Sequence, residues 1–215
     1  MRKSVLTLVF VFLSTFSVFA QSDTDEKKNE LGLTIGAEIV PSVESNGNRL
    51  DLSSSVVFGI NYARQLKAGK NIALYFEVPF VAAPSHSVTL GSGILPPAPD
   101  TPTSLATLYI TPGVRVKFAR KSAFSPWVSF GGGYGLYEGS QRLASGAANP
   151  DRFSSVGTLQ WGGGVDIKTP LKILFPITLR GEVRDFYTLD SLNFNTGRGT
   201  SQHNVFVGGG IVLKF

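Results

Sequence analysis

The sequence predicts an all-β protein, an eight-stranded antiparallel up-and-down β-barrel that spans a membrane. Three observations support this prediction: eight segments of alternating side-chain polarity, connections that are alternately short and long, and a low content of charge. Charged residues make up 16% of the chain and hydrophobic residues 42%, whereas an ordinary soluble domain is roughly 25% charged. The 24 glycines and 16 phenylalanines complete a composition that is unusual for a cytosolic enzyme.

Charge and residue counts exclude several kinds of site. The sequence contains no cysteine, which rules out disulfide bonds and thiolate metal sites. It contains two histidines, His86 and His203, too few for a zinc site of the ordinary type. No cluster of Lys and Arg interleaved with aromatic residues suggests a nucleic-acid partner. We therefore expect no cofactor, no metal and no nucleic acid.

The first twenty residues have the pattern of a targeting segment. Arg2 and Lys3 form a short positive region, and residues 5–19 are largely apolar. Residues 18–20 (Val-Phe-Ala) suit a signal peptidase, so we expect a signal peptide over 1–20 that is cleaved after Ala20. Residues 21–29 are polar and are expected to form a flexible lead-in to a barrel domain at 30–215. An uncleaved membrane anchor is the alternative, but the apolar run is shorter than the roughly 20 residues that span a bilayer.

Alternation with a period of two dominates the rest of the chain. In the first run Leu33 and Ile35 share one face, while Thr34 and Glu38 share the other. The eight runs lie at about 31–39, 56–63, 72–80, 108–118, 127–137, 159–167, 177–184 and 205–215. Each is about as long as a tilted membrane-spanning strand, which needs roughly 9 to 11 residues.

The connections predict how the barrel lies in its membrane. Three are tight, at about 67–70, 120–124 and 168–172, and four are longer, at about 41–53, 82–104, 138–155 and 188–202. Short turns on one side and long loops on the other are typical of outer-membrane barrels, with the short turns in the periplasm. The loop at 82–104 contains five prolines, so we expect it to lack regular structure.

A soluble β-sandwich or lipocalin-like barrel also alternates, with its apolar face inward. The membrane interpretation is favoured because the strands are long and even and the loops are asymmetric. In addition, the polar face is mostly Gly, Ser, Thr and Tyr, and the chain ends on an aromatic residue within a strand.

Strand parity places most charged residues of the runs on the polar face, which fills the interior of so narrow a barrel. The residues concerned are Glu38, Glu77, Arg115, Lys117, Asp166, Arg180, Glu182, Arg184 and Lys214. Charges withdrawn from water must be paired. We expect Glu77, Arg115, Arg180 and Glu182, with Arg184, to form a paired interior network; a gate or a narrow ion path is the alternative.

Three runs carry a glycine triplet between apolar residues, at 130–134, 161–165 and 207–211. Neither phosphate-loop glycine pattern is present, and these glycines lie within strands rather than at a strand-to-helix turn. We expect them to permit curvature and close packing in a small barrel.

Ser201 and His203 are the one candidate catalytic pair. Some outer-membrane barrels remove acyl chains from lipid A with a Ser–His pair and an acid. Here His203 would be the base and Ser201 the nucleophile, oriented by a carboxylate that the sequence does not identify.

The last run carries the most specific signal. It ends on Phe215, with Leu213 and Ile211 two and four places before it, and this resembles the assembly signal of outer-membrane barrels. From Leu31 onward the chain is similar to the eight-stranded outer-membrane β-barrel family, which includes the transmembrane part of outer membrane protein A and opacity-type surface proteins. Segments 108–115 and 179–185 have the residue pattern of that family. No peptidoglycan-binding domain follows the barrel, so a cell-wall tether is not expected.

The resemblance implies an outer-membrane protein in contact with membrane lipid and lipopolysaccharide, with Phe215 read by the barrel-assembly machinery. We expect a non-enzymatic protein with a structural or surface-interaction role through its extracellular loops. A narrow pore for small solutes, a lipid A-modifying hydrolase and a soluble lipocalin-like carrier are the alternatives. The sequence does not identify a ligand for the loops.

Overall fold

The computed structural model describes residues 27–41, 43–45, 48–90, 102–172, 176–189 and 201–215. The expected signal peptide and most of the polar lead-in, 21–26, lie outside the described residues. No helix in these ranges is long and apolar enough to cross a membrane.

The described residues form strands that alternate almost without interruption with turns and loops. The strands are β1 (Asn29–Ile39), β2 (Val43–Ser45), β3 (Asn48–Leu52), β4 (Ser55–Ala68), β5 (Ala73–Leu90), β6 (Ser104–Ile110), β7 (Gly113–Lys117), β8 (Phe124–Gly139), β9 (Phe153–Lys172), β10 (Pro176–Thr188) and β11 (Gln202–Lys214).

Antiparallel pairing closes these strands into a barrel. β1 pairs with β4, β4 with β5, β5 with both β6 and β7, and these two pieces with β8. The order continues through β9 and β10 to β11, and β11 returns to β1 with Glu30 opposite Lys214 and Ile39 opposite Val205. Since β6 and β7 together make one strand of the wall, the predicted eight-stranded antiparallel barrel is confirmed.

The outward face of the wall is apolar. Large hydrophobic side chains such as Ile35, Phe58 and Phe130 are 56%, 54% and 57% exposed, while the residues beside them in sequence point inward and are buried or small. A soluble barrel has the opposite arrangement, and a continuous exposed apolar surface of this extent indicates contact with another apolar medium. The barrel is therefore a transmembrane one, and the lipocalin-like alternative does not fit.

The fourth predicted run is interrupted. The sequence pattern at 108–118 predicts one strand, but the structure breaks it at Thr111 and Pro112, between β6 and β7. Pro112 has no N–H to donate to a neighbouring strand, and its carbonyl instead accepts a hydrogen bond from the Gly132 N–H at 3.1 Å.

The predicted loop at 82–104 is largely wrong over its first part. β5 continues to Leu90, and its outer end pairs with β3 of a small hairpin, β2–β3, inside the predicted loop at 41–53. Pro84 is tolerated because a register shift between Ala83 and His86 interrupts the ladder there. Residues 91–101 lie outside the described ranges.

The short-turn end agrees with the sequence at two of its three turns. Residues 69–72 connect β4 to β5, and 118–123 connect β7 to β8. The third prediction, 168–172, is wrong because β9 runs on to Lys172; residues 173–175 are not described.

Candidate functional site

All five residues of the predicted interior network are buried. Glu77 lies at its centre: one carboxylate oxygen accepts a hydrogen bond from Arg184 Nη1 at 2.9 Å, and the other accepts one from Asn61 Nδ2 at 2.9 Å. Arg115 Nε lies 3.5 Å from Glu77, and Arg184 Nε donates to Glu182 at 3.1 Å. The structure therefore brings Glu77, Arg115, Glu182 and Arg184 together.

Arg180 belongs to a second part of the network, nearer the short turns. Its guanidinium donates two hydrogen bonds to Asp166, at 2.7 and 3.0 Å. Lys117 Nζ reaches both Asp166, at 2.5 Å, and Glu30, at 2.8 Å. Glu30 also accepts a hydrogen bond from Arg115 Nη2 at 2.6 Å, which links the two parts.

Glu30 links the two parts of the network, and the sequence interpretation did not include it. The alternation predicts a first run that begins at Leu31, one residue too late to include Glu30. Glu30 has the parity of Gly32 and Thr34, which face inward, and this would have placed it inside the barrel.

Trp127 fills the space between the arginines. Its side chain is 1% exposed, and the Arg115, Arg180 and Arg184 guanidiniums lie 5.5, 5.0 and 5.1 Å from its ring. A Cβ added to Gly164 would lie 2.6 Å from Trp127 Cζ2. The glycine triplet in β9 thus makes room for the indole, in line with the packing role expected from the sequence.

A separate buried cluster closes the interior nearer the long loops. The rings of Tyr109 and Phe186 stack at 4.4 Å, and Val57, Leu105, Tyr137 and Phe206 pack around them. Glu38 accepts hydrogen bonds from Tyr109 at 2.9 Å and Thr107 at 3.3 Å.

His86 is part of this cluster, so its expected position in a loop is wrong. Its side chain is buried, with Nε2 3.1 Å from Glu38 and Nδ1 2.9 Å from the Ser53 carbonyl oxygen. β5 extends far enough to carry His86 back over the interior, which the prolines of this segment concealed.

His203 lies on the outward face, near the long-loop end. Its ring is half exposed, and Nδ1 lies 2.8 Å from Asp185 Oδ2 on the adjacent strand β10. The rings of Tyr187 and Trp161 lie 4.9 and 5.9 Å from the imidazole. Ser201 has the same parity as His203, and Asp185 is the carboxylate in contact with the imidazole.

The residues of the predicted assembly signal lie on the closing strand. Leu213 lies between Leu31 of β1 and Ile177 of β10, and Ile211 pairs with Leu33. Phe215 exchanges two backbone hydrogen bonds of 3.0 Å with Asn29 at the short-turn end. Recognition of this end by other proteins stays a prediction.

The described part of the chain contains no group of three or more His, Cys, Asp or Glu residues that could hold a metal ion.

No protein-family model matches the chain, and no curated protein matches it. Among solved structures, the outer membrane protein OprG from Pseudomonas aeruginosa aligns with a TM-score of 0.50 and 14% identity, over 88% of this chain and 97% of that one. Neisserial surface protein A aligns with a TM-score of 0.49 and 12% identity, over 90% and 100% of the two chains. Ail, the attachment invasion locus protein of Yersinia pestis, has a TM-score of 0.46 and 14% identity, over 86% and 99%. The likeness to OprG establishes the fold, that of an eight-stranded outer-membrane β-barrel.

Proposed function

We propose that this transmembrane barrel is a closed, non-conducting protein of the outer membrane that acts through its extracellular surface, in a structural or surface-interaction role. One observation carries the proposal: the interior is filled from the Glu30 carboxylate to the Tyr109–Phe186 stack. Because the interior is filled, the outer rim is the surface on which the protein can meet extracellular molecules.

The outer rim supports this role because part of it is ordered. In the loop at 140–152, Leu143 N–H donates to the Ala147 carbonyl at 2.9 Å, and Asn149 Nδ2 donates to the Ser140 carbonyl at 3.0 Å. A β-bridge joins Leu143 to Pro102 of the neighbouring connection. A preorganised surface loses less conformational entropy on binding than a flexible one.

Single-channel recording tests the closed interior. The purified barrel is inserted into planar bilayers, with a general porin as the positive control. We expect no conductance steps, since the buried ion pairs and the aromatic cluster fill the lumen. Stable, reproducible steps from the wild-type barrel would instead favour the narrow-pore alternative.

Cysteine labelling tests the orientation, and the absence of native cysteine makes it clean. Ser145 is exposed in the loop at 140–152, and Ser122 is exposed in the short turn at 118–123. We expect a membrane-impermeant maleimide to label Ser145→Cys on intact cells and Ser122→Cys only after permeabilisation. The reverse pattern would place the short turns outside.

Binding to defined surfaces tests the interaction role. Barrels in vesicles are compared on lipopolysaccharide-coated and glycan-array surfaces, with a variant whose residues 141–151 are replaced by a Gly-Ser segment of equal length. We expect wild-type binding to at least one surface and its loss in the variant. Equal binding by both proteins would remove the ordered loop from the proposal.

A second candidate function, a lipid ester hydrolase, is favoured by the contact between His203 and Asp185. The Asp185 carboxylate would hold the Nδ1–H of His203, whose Nε2 would take the proton from Ser201 Oγ as that oxygen attacks an ester carbonyl. The site faces outward, where an acyl chain is accessible. The protonated His203 would then give its proton to the departing alcohol, and a water molecule would hydrolyse the acyl ester formed on Ser201 to release the fatty acid.

Mass spectrometry of lipid A from expressing cells separates this candidate from the non-enzymatic one. If it holds, wild-type cells carry deacylated lipid A, which His203→Ala and Ser201→Ala abolish and the exposed control Ser154→Ala retains. Identical lipid A in all four strains would leave the non-enzymatic role.

A further inference from the structure

A cavity of about 190 Å³ opens at the short-turn mouth of the barrel. Five cationic side chains line it: Lys27, Lys117, Arg120, Lys168 and Lys214. The other two lining residues are Gln65 and Tyr75, so no carboxylate is among the seven; Glu30 contacts Lys117 and Lys214 but does not line the cavity. The lining comes from residues near both ends of the barrel sequence and from strands around the wall, so the positive charges converge on one space.

The buried network beneath the cavity does not offset this charge. Its four carboxylates, Glu30, Glu77, Asp166 and Glu182, are matched by four cations, Arg115, Lys117, Arg180 and Arg184. The network is therefore neutral by itself, and Lys168 and Lys214 of the lining add positive charge above it.

Lys214 and Lys168 illustrate the surplus. Lys214 Nζ lies 3.4 Å from Glu30, a carboxylate that already contacts Arg115 and Lys117 at 2.6 and 2.8 Å. Lys168 Nζ donates at 2.7 Å to the carbonyl oxygen of Arg120, which is a neutral acceptor. Like charges held in a half-enclosed space repel one another. An anion placed between them would attract each of them and offset this repulsion.

The neutral members of the lining also favour an anion. Tyr75 donates its hydroxyl hydrogen to Gln65 Oε1 at 3.1 Å. That contact occupies the acceptor oxygen of the Gln65 amide, so the remaining Nε2 is a donor. A site of ammonium groups and an amide donor matches an oxyanion with several acceptor oxygens.

We propose that the short-turn mouth is a binding site for a phosphate-class oxyanion, either a free phosphate or the phosphate headgroup of a lipid. The proposal is independent of the role assigned to the outer rim. The cavity volume of about 190 Å³ is large enough for more than one water molecule, since one water needs roughly 10–15 Å³. The acidic residues Asp23, Asp25 and Glu26, which precede Lys27 in sequence, are the alternative occupant that the test must separate from an added anion.

The test is a titration of the full mature barrel in non-ionic detergent, followed by NMR. One arm uses inorganic phosphate, and the other uses dihexanoyl phosphatidic acid below its micellar concentration. We expect saturable shifts for the amides of residues 168 and 214 with at least one probe. Saturation by both probes at similar concentrations assigns a free-phosphate site; saturation by the lipid alone assigns a headgroup site.

Matched variants give the specificity. Lys168→Gln with Lys214→Gln should weaken binding at least about tenfold, because charge-assisted hydrogen bonds are the strong ones. Lys121→Gln, which changes an exposed cation of the turn at 118–123 that does not line the cavity, should change binding less than about twofold. If the double variant fails to fold, Lys168→Gln alone, at an exposed position, replaces it.

Three results would overturn the proposal. The wild-type barrel could bind neither probe; Lys121→Gln could weaken binding as much as the cavity variants do; or binding could emerge only after Asp23, Asp25 and Glu26 are neutralised. The last result would assign the mouth to the chain's own acidic residues.

Discussion

At the residue scale, the interior is a set of buried charges that depend on one another. The buried Glu77 carboxylate contacts two arginines, Arg115 and Arg184, and accepts a hydrogen bond from Asn61. Removing one member of such a set leaves the others charged and buried, which costs more than the lost contact alone.

Glu77→Gln should lower the free energy of unfolding by about 3 kcal/mol, because it leaves the Arg184 and Arg115 charges without their shared carboxylate. Urea unfolding in lipid vesicles, followed by tryptophan fluorescence, measures the change. Glu138→Gln is the control, because Glu138 pairs with Arg152 where both side chains are partly exposed to solvent. An ion pair of this kind contributes about 1 kcal/mol or less. Equal losses would show that the buried network contributes no more than a surface pair.

Packing at Gly164 gives a second residue-scale prediction. Gly164→Ala should destabilise the barrel by about 1–3 kcal/mol, since its Cβ would press on both the Gly181 carbonyl oxygen and the Trp127 ring. Gly181→Ala on the neighbouring strand is the matched control, because a Cβ there meets nothing within 4 Å. The same unfolding experiment compares the two variants. A Gly164→Ala barrel as stable as the wild type would mean that the indole and the neighbouring backbone move aside at little cost.

At the element scale, the strands are predicted well inside the membrane and poorly beyond it. Alternation is strict where one face meets lipid, so parity placed Arg115 and Arg184 inside without any knowledge of tertiary contacts. Phe186 illustrates the rule: it has the inward parity of Arg184 and is buried. Parity alone decides that position, and the aromatic type of the residue does not.

Beyond the membrane no apolar face is required, so the outer part of β5 and the β2–β3 hairpin left no clear pattern. His86 belongs to that part. Its partners, Glu38 and Ser53, lie 48 and 33 residues away in sequence, and only tertiary structure brings them together. The Asp185–His203 contact was missed for the same reason, since it depends on the register of β10 against β11.

His86→Ala should loosen the outer hairpin while leaving the barrel closed. The imidazole ties Ser53, just after β3, to Glu38 of β1, so its loss frees the hairpin from the interior. Hydrogen exchange should speed up about tenfold or more for the amides of residues 50–52 and remain unchanged along the β1–β11 seam. His203→Ala, on the outward face, should leave both regions as they are; uniform acceleration throughout the barrel would contradict a local role.

At the scale of the whole molecule, closure satisfies the backbone hydrogen bonds of the wall within the barrel itself. We therefore expect the protein from the outer-membrane fraction to resist cold SDS and to migrate differently before and after boiling. The measurement is gel mobility with and without heating. A soluble protein with unchanged mobility would contradict both the membrane assignment and the closed wall.

The seam between β1 and β11 allows the order of the strands along the sequence to be changed without changing their order in the wall. Asn29 and Phe215 are hydrogen-bonded neighbours, so the barrel is cyclic in space although its chain is linear. A circular permutant that joins these two residues by a short linker and begins in the turn at 69–72 would retain all eight strand pairings. It would also place Phe215 in the middle of the permuted sequence. Closure of the wall could then be measured separately from recognition of an aromatic residue at the end of a chain.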